Sequence, residues 1–476
     1  AGMPFGDIIS SVNEGIGSTL KGIALLVGLG SMFGSILEIS GGAQTLAVTM
    51  VKKFGDRKAA WALGITGLVI AMPVFFDAGL IILIPLAFSL AKRTKRSSLF
   101  YAIPLLAGLA VGHAFIPPTP GPVLVATMLG VDLGWVITIG IVCGIFAMIV
   151  AGPIWGTICG NKYDVPVPEH IANQEDFDES KLPKFGTIVG IILIPLVLII
   201  LNSIAKVVPA LASVQPVLGF LGEPFVALTI ATIVAMVLLG YRHGYSNEEL
   251  EKVLTKSLEP TGLILLVTAC GGVLRFMLQN SGLGDVIGNA VSSASLPIVV
   301  VAFVVAALVR ISVGSATVAM TMAAGIIAAM PEIATLSPLY LACVTAAVAG
   351  GATVCSHFND SGFWLVKSLV GLDEKTTLKT WTIMETLVGG TGFYIQAVTG
   401  DIDFTVHGED TTYRQMLEEK AKTEGAQALH EMLAAVDPAS AAAIHANNVK
   451  RVIRALEYYR QTGKPISQHN EEQRQK

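Results

Sequence analysis

The sequence predicts an all-α polytopic membrane protein, made of two inverted-topology repeats with re-entrant hairpins and broken helices and followed by a small soluble α-helical segment. Three observations lead to this class: the apolar composition, an internal repeat, and a reversal of loop charge between its two copies. Of the 476 residues, 53% are hydrophobic and only 14% are charged, whereas soluble domains carry about 25% charged residues. The 49 glycines and 22 prolines are scattered through the apolar runs, which favours broken helices over simple spans.

Apolar runs that are long enough to enter or cross a bilayer occur along most of the first 400 residues. They are 22–38, 59–91, 98–131, 135–159, 187–205, 216–240, 261–279, 296–330, 338–366 and 380–399. Residues 401–476 are different, because they hold 10 of the 31 Lys and Arg and 12 of the 35 Asp and Glu. We therefore divide the chain into a first membrane repeat (1–159), an acidic hydrophilic connector (160–186), a second membrane repeat (187–387) and a tail (388–476).

Composition and motifs also exclude several classes of function. The net charge of −4 argues against a nucleic-acid-binding membrane part. No phosphate loop of the form GxxxxGKS or GxxxxGKT occurs, so coupling to an ion gradient is expected instead of ATP hydrolysis. No metal or other cofactor is predicted, since the cysteines show no metal-ligand spacing and are expected to be buried thiols. These are Cys143, Cys159, Cys270, Cys343 and Cys355.

A shift of 240 residues superposes the first half of the chain on the second with hardly a gap. The matched pairs include Gly22 with Gly262, Leu25 with Leu265, Gly42 with Gly282, Ser97 with Ser337, Leu99 with Leu339 and, after a one-residue slip, Gly121 with Gly362 and Asp132 with Asp373. The span 216–240 has its counterpart before residue 1, so the first repeat is expected to be truncated at its N-terminus.

The loop charges indicate how the two copies are oriented, because Lys and Arg concentrate on the cytoplasmic side of short loops. Two basic loops of the first copy align with segments 291–298 and 331–336, which have no Lys or Arg. Their basic residues are Lys52, Lys53, Arg57, Lys58, Lys92, Arg93, Lys95 and Arg96. The opposite loops reverse the bias, with Arg242, Lys252, Lys256, Lys367, Lys375 and Lys379 in copy two against Lys21 in copy one. This pattern predicts an inverted repeat, which is typical of transporters.

Two pairs of matched breaks are expected to meet near the membrane midplane. The run 59–91 is too short for two crossings and is predicted to be a re-entrant hairpin with its tip at 73–79. Its counterpart tip is 310–317. The second pair is 112–122, with four prolines in six residues, and 355–364. Half-helix N-termini that point inward at such breaks suit an anionic ligand.

Ionisable side chains in these apolar surroundings are candidate proton carriers, because charge is costly there and usually functional. They are Asp77, His113, His357 and Asp360. A histidine titrates near neutral pH, and loss of hydration raises the affinity of a carboxylate for a proton. The alternative is that each of these side chains only caps a broken helix through hydrogen bonds.

The substrate-binding candidates are Arg310, Ser312, Ser315, Thr317, Thr119, Ser356 and Asn359. Arg310 is expected either to neutralise a substrate carboxylate or to pair with Asp77 across the site. The hydroxyl and amide groups suit a polyhydroxylated ligand, although hydrogen bonds between helices would explain them equally well. Arg275 is expected to extend to a membrane interface instead of binding ligand.

The segments HAFIPPTPGP, GSATVA, SHFNDSGFW and FFDAGL resemble the gluconate permease family of proton symporters, over about residues 3–387. The resemblance implies uptake of a sugar acid such as gluconate with a proton across the bacterial cytoplasmic (inner) membrane. Family members often carry a second histidine where this chain has Thr119, and relatives carry D-serine, glycerate or other sugar acids. The expected partners are therefore a small organic anion, protons and the lipid bilayer, and a homo-oligomer is left open.

The tail resembles an internal piece of bacterial tRNA dimethylallyltransferase, from VGGTGFYIQAVTGDIDF to the stretch that ends in RQTGKPIS. That family's phosphate loop and catalytic aspartate segment are absent from this sequence, so the chain is not expected to be an enzyme. Helical periodicity is predicted around 411–435 and 447–462, with Asp437-Pro438 starting a turn. The alternatives to a sugar-acid symporter are a permease for D-serine or another small hydroxy acid, a tRNA prenyltransferase, and an inert membrane scaffold.

Overall fold

The structure is a computed structural model that describes residues 3–168, 182–208, 211–282, 286 and 296–399, and in the tail 416–417, 419–421, 423–443, 449–462, 465 and 467. Within these residues every regular element is helical, as the composition predicts. The chain forms two compact units, Ala1–Ile402 and Asp403–Lys476. The finer division into two repeats and a connector stays a prediction, and residues 169–181 of that connector lie outside the described residues.

The helices of the first half are α1 (Phe5–Ile39), α2 (Gly42–Phe54), α3 (Ala59–Ile70), α4 (Phe76–Thr94), α5 (Leu99–Phe115), α6 (Pro120–Leu129), α7 (Leu133–Ile149) and α8 (Trp155–Lys162). A π-helical turn at Val150–Ile154 joins α7 to α8. A buried core built from both halves holds these helices together.

The helices of the second half are α9 (Phe185–Val207), α10 (Gln215–Leu221), α11 (Pro224–Ala235), α12 (Asn247–Ser257), α13 (Glu259–Asn280), α14 (Ile298–Val313), α15 (Ala316–Ala328), α16 (Pro338–Gly351), α17 (Ser361–Val370), α18 (Glu374–Thr377) and α19 (Ile383–Thr399). A π-helical turn at Leu378–Thr382 leads into α19.

Among the described residues, six helical stretches are long and apolar enough to cross a membrane: Phe5–Ile39, Leu99–Leu129, Leu133–Lys162, Phe185–Lys206, Pro224–His243 and Asn247–Asn280. The first begins well before the predicted run 22–38, because its N-terminal turns are amphipathic. Ser11, Gly15 and Thr19 recur every four residues and are buried in one stripe. A search for apolar runs misses a buried stripe made of small polar residues.

Two helical hairpins occur where the sequence predicts re-entrant segments. Residues 71–75 separate α3 from α4, and residues 314–315 separate α14 from α15. The four helices have 12, 19, 16 and 13 residues, each below the roughly 20 that a full crossing requires. The positions of these short helices agree with the prediction, while a re-entrant course that enters and leaves on one side of the membrane stays a prediction.

Two longer helices are also broken. We call residues 116–119, between α5 and α6, the first-half break, and residues 352–360, between α16 and α17, the second-half break. These positions agree with the predicted broken helices. The inverted relation between the halves stays a prediction.

Glycines let the helices approach closely. A Cβ atom on Gly67 of α3 would lie 2.9 Å from the backbone nitrogen of Leu109 on α5. A Cβ atom on Gly15 of α1 would lie 2.6 Å from the Cα atom of Val273 on α13. Small residues at such crossings are typical of helix packing in membranes. The 240-residue shift superposes α1 on α13, so two aligned helices pack directly against each other.

The cysteine expectation is correct at three positions and wrong at one. Cys143, Cys159 and Cys343 are buried, and Cys355 is half-buried in the second-half break. Cys270 is exposed, because it lies on a face of α13 turned away from the packed helices. Apolar neighbours along the sequence do not distinguish a helix face in contact with protein from one left open.

The tail contains α20 (Ala426–Val436), α21 (Pro438–Ala443) and α22 (Val449–Thr462). Its small core is formed by Leu417, Leu429, Leu433, Ala441, Val452, Ile453, Ala455 and Leu456. The predicted turn at Asp437 is confirmed, since its Oδ1 accepts a hydrogen bond of 3.0 Å from the Ser440 amide. Burial opposes ionisation of Asp437, but hydrogen bonds from Ser467 and Ser440 outweigh it and hold the pKa of this carboxyl below its usual value.

Candidate functional site at the helix breaks

A buried ion pair joins the second hairpin to the second-half break. Arg310 lies in the last turn of α14, and its Nη2 atom is 2.5 Å from Oδ2 of Asp360. The two side chains are only 3% and 10% exposed. Sequence reasoning left open whether Arg310 pairs with Asp77, and the structure pairs it with Asp360 instead. A buried pair of this kind needs further hydrogen bonds to offset the loss of hydration.

Asp360 receives those further hydrogen bonds. Its Oδ1 atom accepts a bond of 3.0 Å from the Gly362 amide and so caps α17. The hydroxyl of Ser356 donates to Oδ2, and Nε1 of Trp381 donates to the Ser356 oxygen at 2.7 Å. Asp360 therefore caps a broken helix, which was the alternative to a role as proton carrier. It also pairs with Arg310.

Two hydrogen-bond donors of Arg310 are not used by the ion pair. Within the described residues, its Nε and Nη1 atoms are buried and have no hydrogen-bond partner. Unsatisfied buried donors are costly unless a ligand or water completes them. A guanidinium of this kind is suited to bind a carboxylate.

The second-half break is also tied to the end of α14 through a shared backbone carbonyl. Nδ2 of Asn359 donates to the Ile311 carbonyl at 2.9 Å, and Nε2 of His357 lies 3.1 Å from the same oxygen. Gly314, with φ of 84°, forms the adjacent turn. A Cβ atom there would collide with the Asn359 backbone, so glycine is required both by its conformation and by this close approach.

The hydroxyl candidates have different local roles. Ser315 Oγ accepts a 3.4 Å bond from the Val318 amide and caps α15. Ser312 donates to Leu308 O at 2.8 Å, and Thr119 donates to Ile116 O at 2.8 Å. Thr317 is half-buried at the start of α15. The hydroxyl hydrogen of Ser312 is therefore used within α14 and that of Thr119 within the first-half break, while both hydroxyl oxygens can still accept a hydrogen bond.

Asp77 approaches this cluster from the first hairpin. It is an exposed residue in the first turn of α4, and it lies within electrostatic range of Asp360. The neighbouring Phe76 ring packs against Trp381 with ring centroids 5.5 Å apart. The tip of the first hairpin therefore reaches the second-half break, as the sequence predicts.

His113 lies apart from the ion pair. Its Nδ1 atom is buried and has no hydrogen-bond partner within the described residues, and its ring packs edge-on against Phe75 at 6.1 Å. This histidine contacts the turn of the first hairpin. The four proton-carrier candidates are therefore distributed around the breaks and do not form one cluster.

Two residues near the ion pair were not among the predicted site residues. Trp381 is 2% exposed and Glu385 is 5% exposed, and Glu385 lies within electrostatic range of Arg310 and Asp360. The sequence signal for Glu385 was its carboxylate within the apolar run 380–399, the same signal that selected Asp77.

A cavity of about 620 Å³ lies between the ends of α6, α13 and α15. Among the residues that line it are Thr127, Gly130, Arg275, Gln279, Met330 and Ala334. Arg275, which was expected to extend to a membrane interface, therefore borders an open cavity, and its Nε atom has no hydrogen-bond partner within the described residues. Gln279 donates to the Ala328 carbonyl at 3.1 Å, which closes one edge of the cavity.

Comparison with known protein families shows to which family this chain belongs. The profile described as GntP family permease matches residues 1–400. This chain belongs to the GntP permease family. A second profile, described as IPP transferase, matches residues 378–476. The two matches therefore overlap over residues 378–400, which contain the π-helical turn at Leu378–Thr382 and α19. The similarity of the tail to that enzyme family agrees with the sequence resemblance.

Several curated members of the GntP family are similar over most of their length. The Low-affinity gluconate transporter of Escherichia coli strain K12 is 40% identical over 405 residues, 85% of this chain and 90% of that protein. The Gnt-II system L-idonate transporter of the same strain is 34% identical, over 81% and 88%. The Gluconate permease of Pseudomonas aeruginosa is 35% identical, over 82% and 87%. These relatives are transporters, in agreement with the prediction that the chain is not an enzyme.

Two solved structures share the fold. The YdaH transporter of Alcanivorax borkumensis matches with a TM-score of 0.58 at 15% identity, covering 82% of this chain and 88% of that one. MtrF of Neisseria gonorrhoeae matches with a TM-score of 0.62 at 14% identity, covering 82% and 84%. At 14–15% sequence identity, the similarity to these two structures shows a shared fold and carries no conclusion about function.

Proposed function

We propose that this GntP family member is a secondary active transporter that imports gluconate or a similar sugar acid together with protons across the bacterial inner membrane. One observation carries the proposal: Arg310 is buried where the second hairpin meets the second-half break, and two of its donors have no partner within the described residues. The names of relatives that are 34–40% identical support the substrate class.

The site residues have complementary roles in this proposal. The free donors of Arg310 bind the substrate carboxylate. The oxygens of Ser312, Ser315, Thr317, Thr119 and Ser356 and the amide of Asn359 bind the substrate hydroxyls. Asp77, which is exposed next to the cluster, exchanges protons with water, and Asp360 holds Arg310 in place. His113 and His357 are further candidates for proton transfer because both lie at the breaks, His113 against Phe75 of the first hairpin and His357 beside the Ile311 carbonyl.

Alternating access follows from the predicted repeats in this proposal. The segments 1–159 and 187–387 act as the two halves, and movement of one hairpin and break against the other exposes the site to each side in turn. The contact between Phe76 and Trp381, at 5.5 Å between ring centroids, is one point at which the halves would separate.

Uptake into proteoliposomes tests the proposal. The purified chain is reconstituted, an inward proton gradient is imposed, and entry of labelled gluconate is measured with and without a protonophore. We expect gradient-dependent accumulation that excess unlabelled gluconate or L-idonate competes away. Stronger competition by D-serine or glycerate would favour a permease for small hydroxy acids. Absence of any uptake would reject the proposed function.

A further inference from the structure

Glu385 is a buried carboxyl group beside the proposed substrate site, and the proposed function gives it no role. It lies in the first turn of α19 and is 5% exposed. Its Oε1 atom is buried and has no hydrogen-bond partner within the described residues. An ionised carboxylate in such a place is costly, whereas the protonated acid carries no charge.

The charges around Glu385 do not balance if every carboxylate is ionised. Arg310 and Asp360 are within electrostatic range of Glu385, and they already form an ion pair with each other. The single positive charge of Arg310 is therefore neutralised by Asp360, and Glu385 is left in excess. The free Nε and Nη1 donors of Arg310 are the groups that an ionised Glu385 would compete for.

The start of α19 is fastened to the second-half break by three hydrogen bonds. Trp381 donates to the Ser356 hydroxyl oxygen at 2.7 Å, and Thr382 donates to the Ser356 carbonyl at 2.5 Å. The Cys355 amide donates to the Thr386 hydroxyl at 3.1 Å. A displacement of the break would therefore carry Glu385 with it, because these contacts flank it on both sides along the helix.

The remaining titratable groups on the elements around Glu385 are few within the described residues. The elements packed against α19 are α5, α7 and α16, the π-helical turn at Val150–Ile154, which has no titratable group, and its own π-helical turn. They carry Tyr101 and His113 (α5), Cys143 (α7), Tyr340 and Cys343 (α16) and Lys379 (the turn), and the adjoining break carries Cys355 and His357. The charges that act on Glu385 are those of Arg310 and Asp360.

We propose that Glu385 holds the coupled proton and that its ionised form competes with the substrate for Arg310. While a proton from the outer solution is bonded to a carboxylate oxygen of Glu385, the free donors of Arg310 are open to the substrate carboxylate. When that O–H bond breaks and the proton passes to water on the inner side, the ionised Glu385 pairs with Arg310, and the substrate is released. No other covalent bond changes. This inference rests on the proposed function.

The pH dependence of gluconate binding tests this competition. Gluconate exchange by reconstituted protein is measured with equal pH on both sides, at about pH 6 and about pH 8. In the unsubstituted chain we expect the apparent affinity to fall about tenfold between the two conditions, within the range common for coupled sites. Glu385→Gln imitates the protonated acid, so its affinity is expected to be independent of pH and its exchange rate to be retained. Its accumulation in a proton gradient is expected to be lost.

Two further variants separate this role from a structural one. Glu385→Asp keeps the carboxyl group and is expected to keep the pH dependence of affinity. Glu374→Gln removes an exposed carboxylate that pairs with Lys367 at 2.9 Å, and it is expected to behave like the unsubstituted chain. Unchanged pH dependence in Glu385→Gln would overturn the inference, as would loss of exchange together with accumulation in Glu385→Gln at normal membrane levels. Absence of exchange in the unsubstituted chain would instead reject the proposed function.

Discussion

The first-half break and the second-half break interrupt their helices in different ways. At the first-half break, prolines interrupt the helical hydrogen bonds and the chain is packed in the protein interior. Residues 114–122 are all buried, and Thr119 donates a local hydrogen bond to Ile116 O. Around the second, an ion pair and a chain of side-chain hydrogen bonds connect Arg310, Asp360, Ser356 and Trp381. The comparison shows that buried polar and charged contacts are concentrated at the second-half break, where the proposed function places the binding of the substrate carboxylate.

The largest expected effect on stability comes from removing one partner of the Arg310–Asp360 ion pair. Asp360→Asn leaves the Arg310 charge buried without its partner, and we expect the protein to lose about 3–5 kcal/mol of stability. Thermal unfolding in detergent and gluconate uptake measure the two consequences. The double variant Arg310→Leu with Asp360→Leu is expected to recover most of the stability but none of the uptake, because packed apolar groups can replace a buried pair but not its function. An unchanged unfolding temperature in Asp360→Asn would contradict this account.

A large effect on coupling, with little on stability, is expected for Asp77→Asn. The side chain is exposed, so its replacement leaves no buried charge. Accumulation of gluconate in a proton gradient should fall by about tenfold, within the range common for coupled sites, while membrane insertion stays normal. His357→Gln is expected to lower accumulation as well. The control is Asp56→Asn, which removes an exposed carboxylate paired with Arg93. Normal accumulation in both Asp77→Asn and His357→Gln would remove these two residues from the proton pathway.

A moderate loss of stability is expected at the second-half break and a smaller one at the first-half break. Ser356→Ala removes a 1% exposed hydroxyl that bonds Asp360 and accepts from Trp381, and we expect a loss of about 1–3 kcal/mol because buried partners stay unsatisfied. Thr119→Ala removes one bond to a carbonyl of its own break and is expected to cost about 1 kcal/mol. Unfolding temperatures of the two variants provide the comparison. Equal losses would show that the breaks do not differ as described.

The smallest effect is expected at the cavity beside Arg275. Arg275→Gln removes a positive charge beside the cavity, which we expect to attract an anionic substrate toward the protein. The apparent KM for gluconate should rise about twofold at low ionic strength, and the difference should shrink as salt screens the charge. Arg242→Gln, at an exposed position near the end of another helix, is the matched control. A change in maximal rate with no change in KM would indicate that Arg275 acts on the conformation instead.

Much of the fold could be predicted from the sequence because its signals are local. Long apolar runs indicated the membrane helices. Prolines and glycines at 73–79 and 117–122, and a polar stretch with one glycine at 310–317, indicated places where the helices break. The start of α1 was missed because Ser11, Gly15 and Thr19 form a buried stripe without a hydrophobic residue. Exposure of Cys270 was missed because it depends on which helices pack against α13.

The site was predicted less completely, because pairing depends on three-dimensional arrangement. The residue types pointed to Arg310 and Asp360 separately, but nothing in their spacing of 50 residues indicated that they bond to each other. Glu385 was not among the predicted site residues, although a lone carboxylate in an apolar helix is the same signal that selected Asp77. Trp381 had no signal of its own, since its role is to hold Ser356 in place.

The most direct test of the central claim measures both partners of transport in one preparation. The chain is reconstituted into liposomes that contain a pH-sensitive dye, labelled gluconate is added outside, and the entry of label and the internal pH are recorded together. The account predicts that gluconate entry acidifies the interior and that both signals are lost in Arg310→Gln. Gluconate entry without acidification, or equal entry in Arg310→Gln, would contradict it.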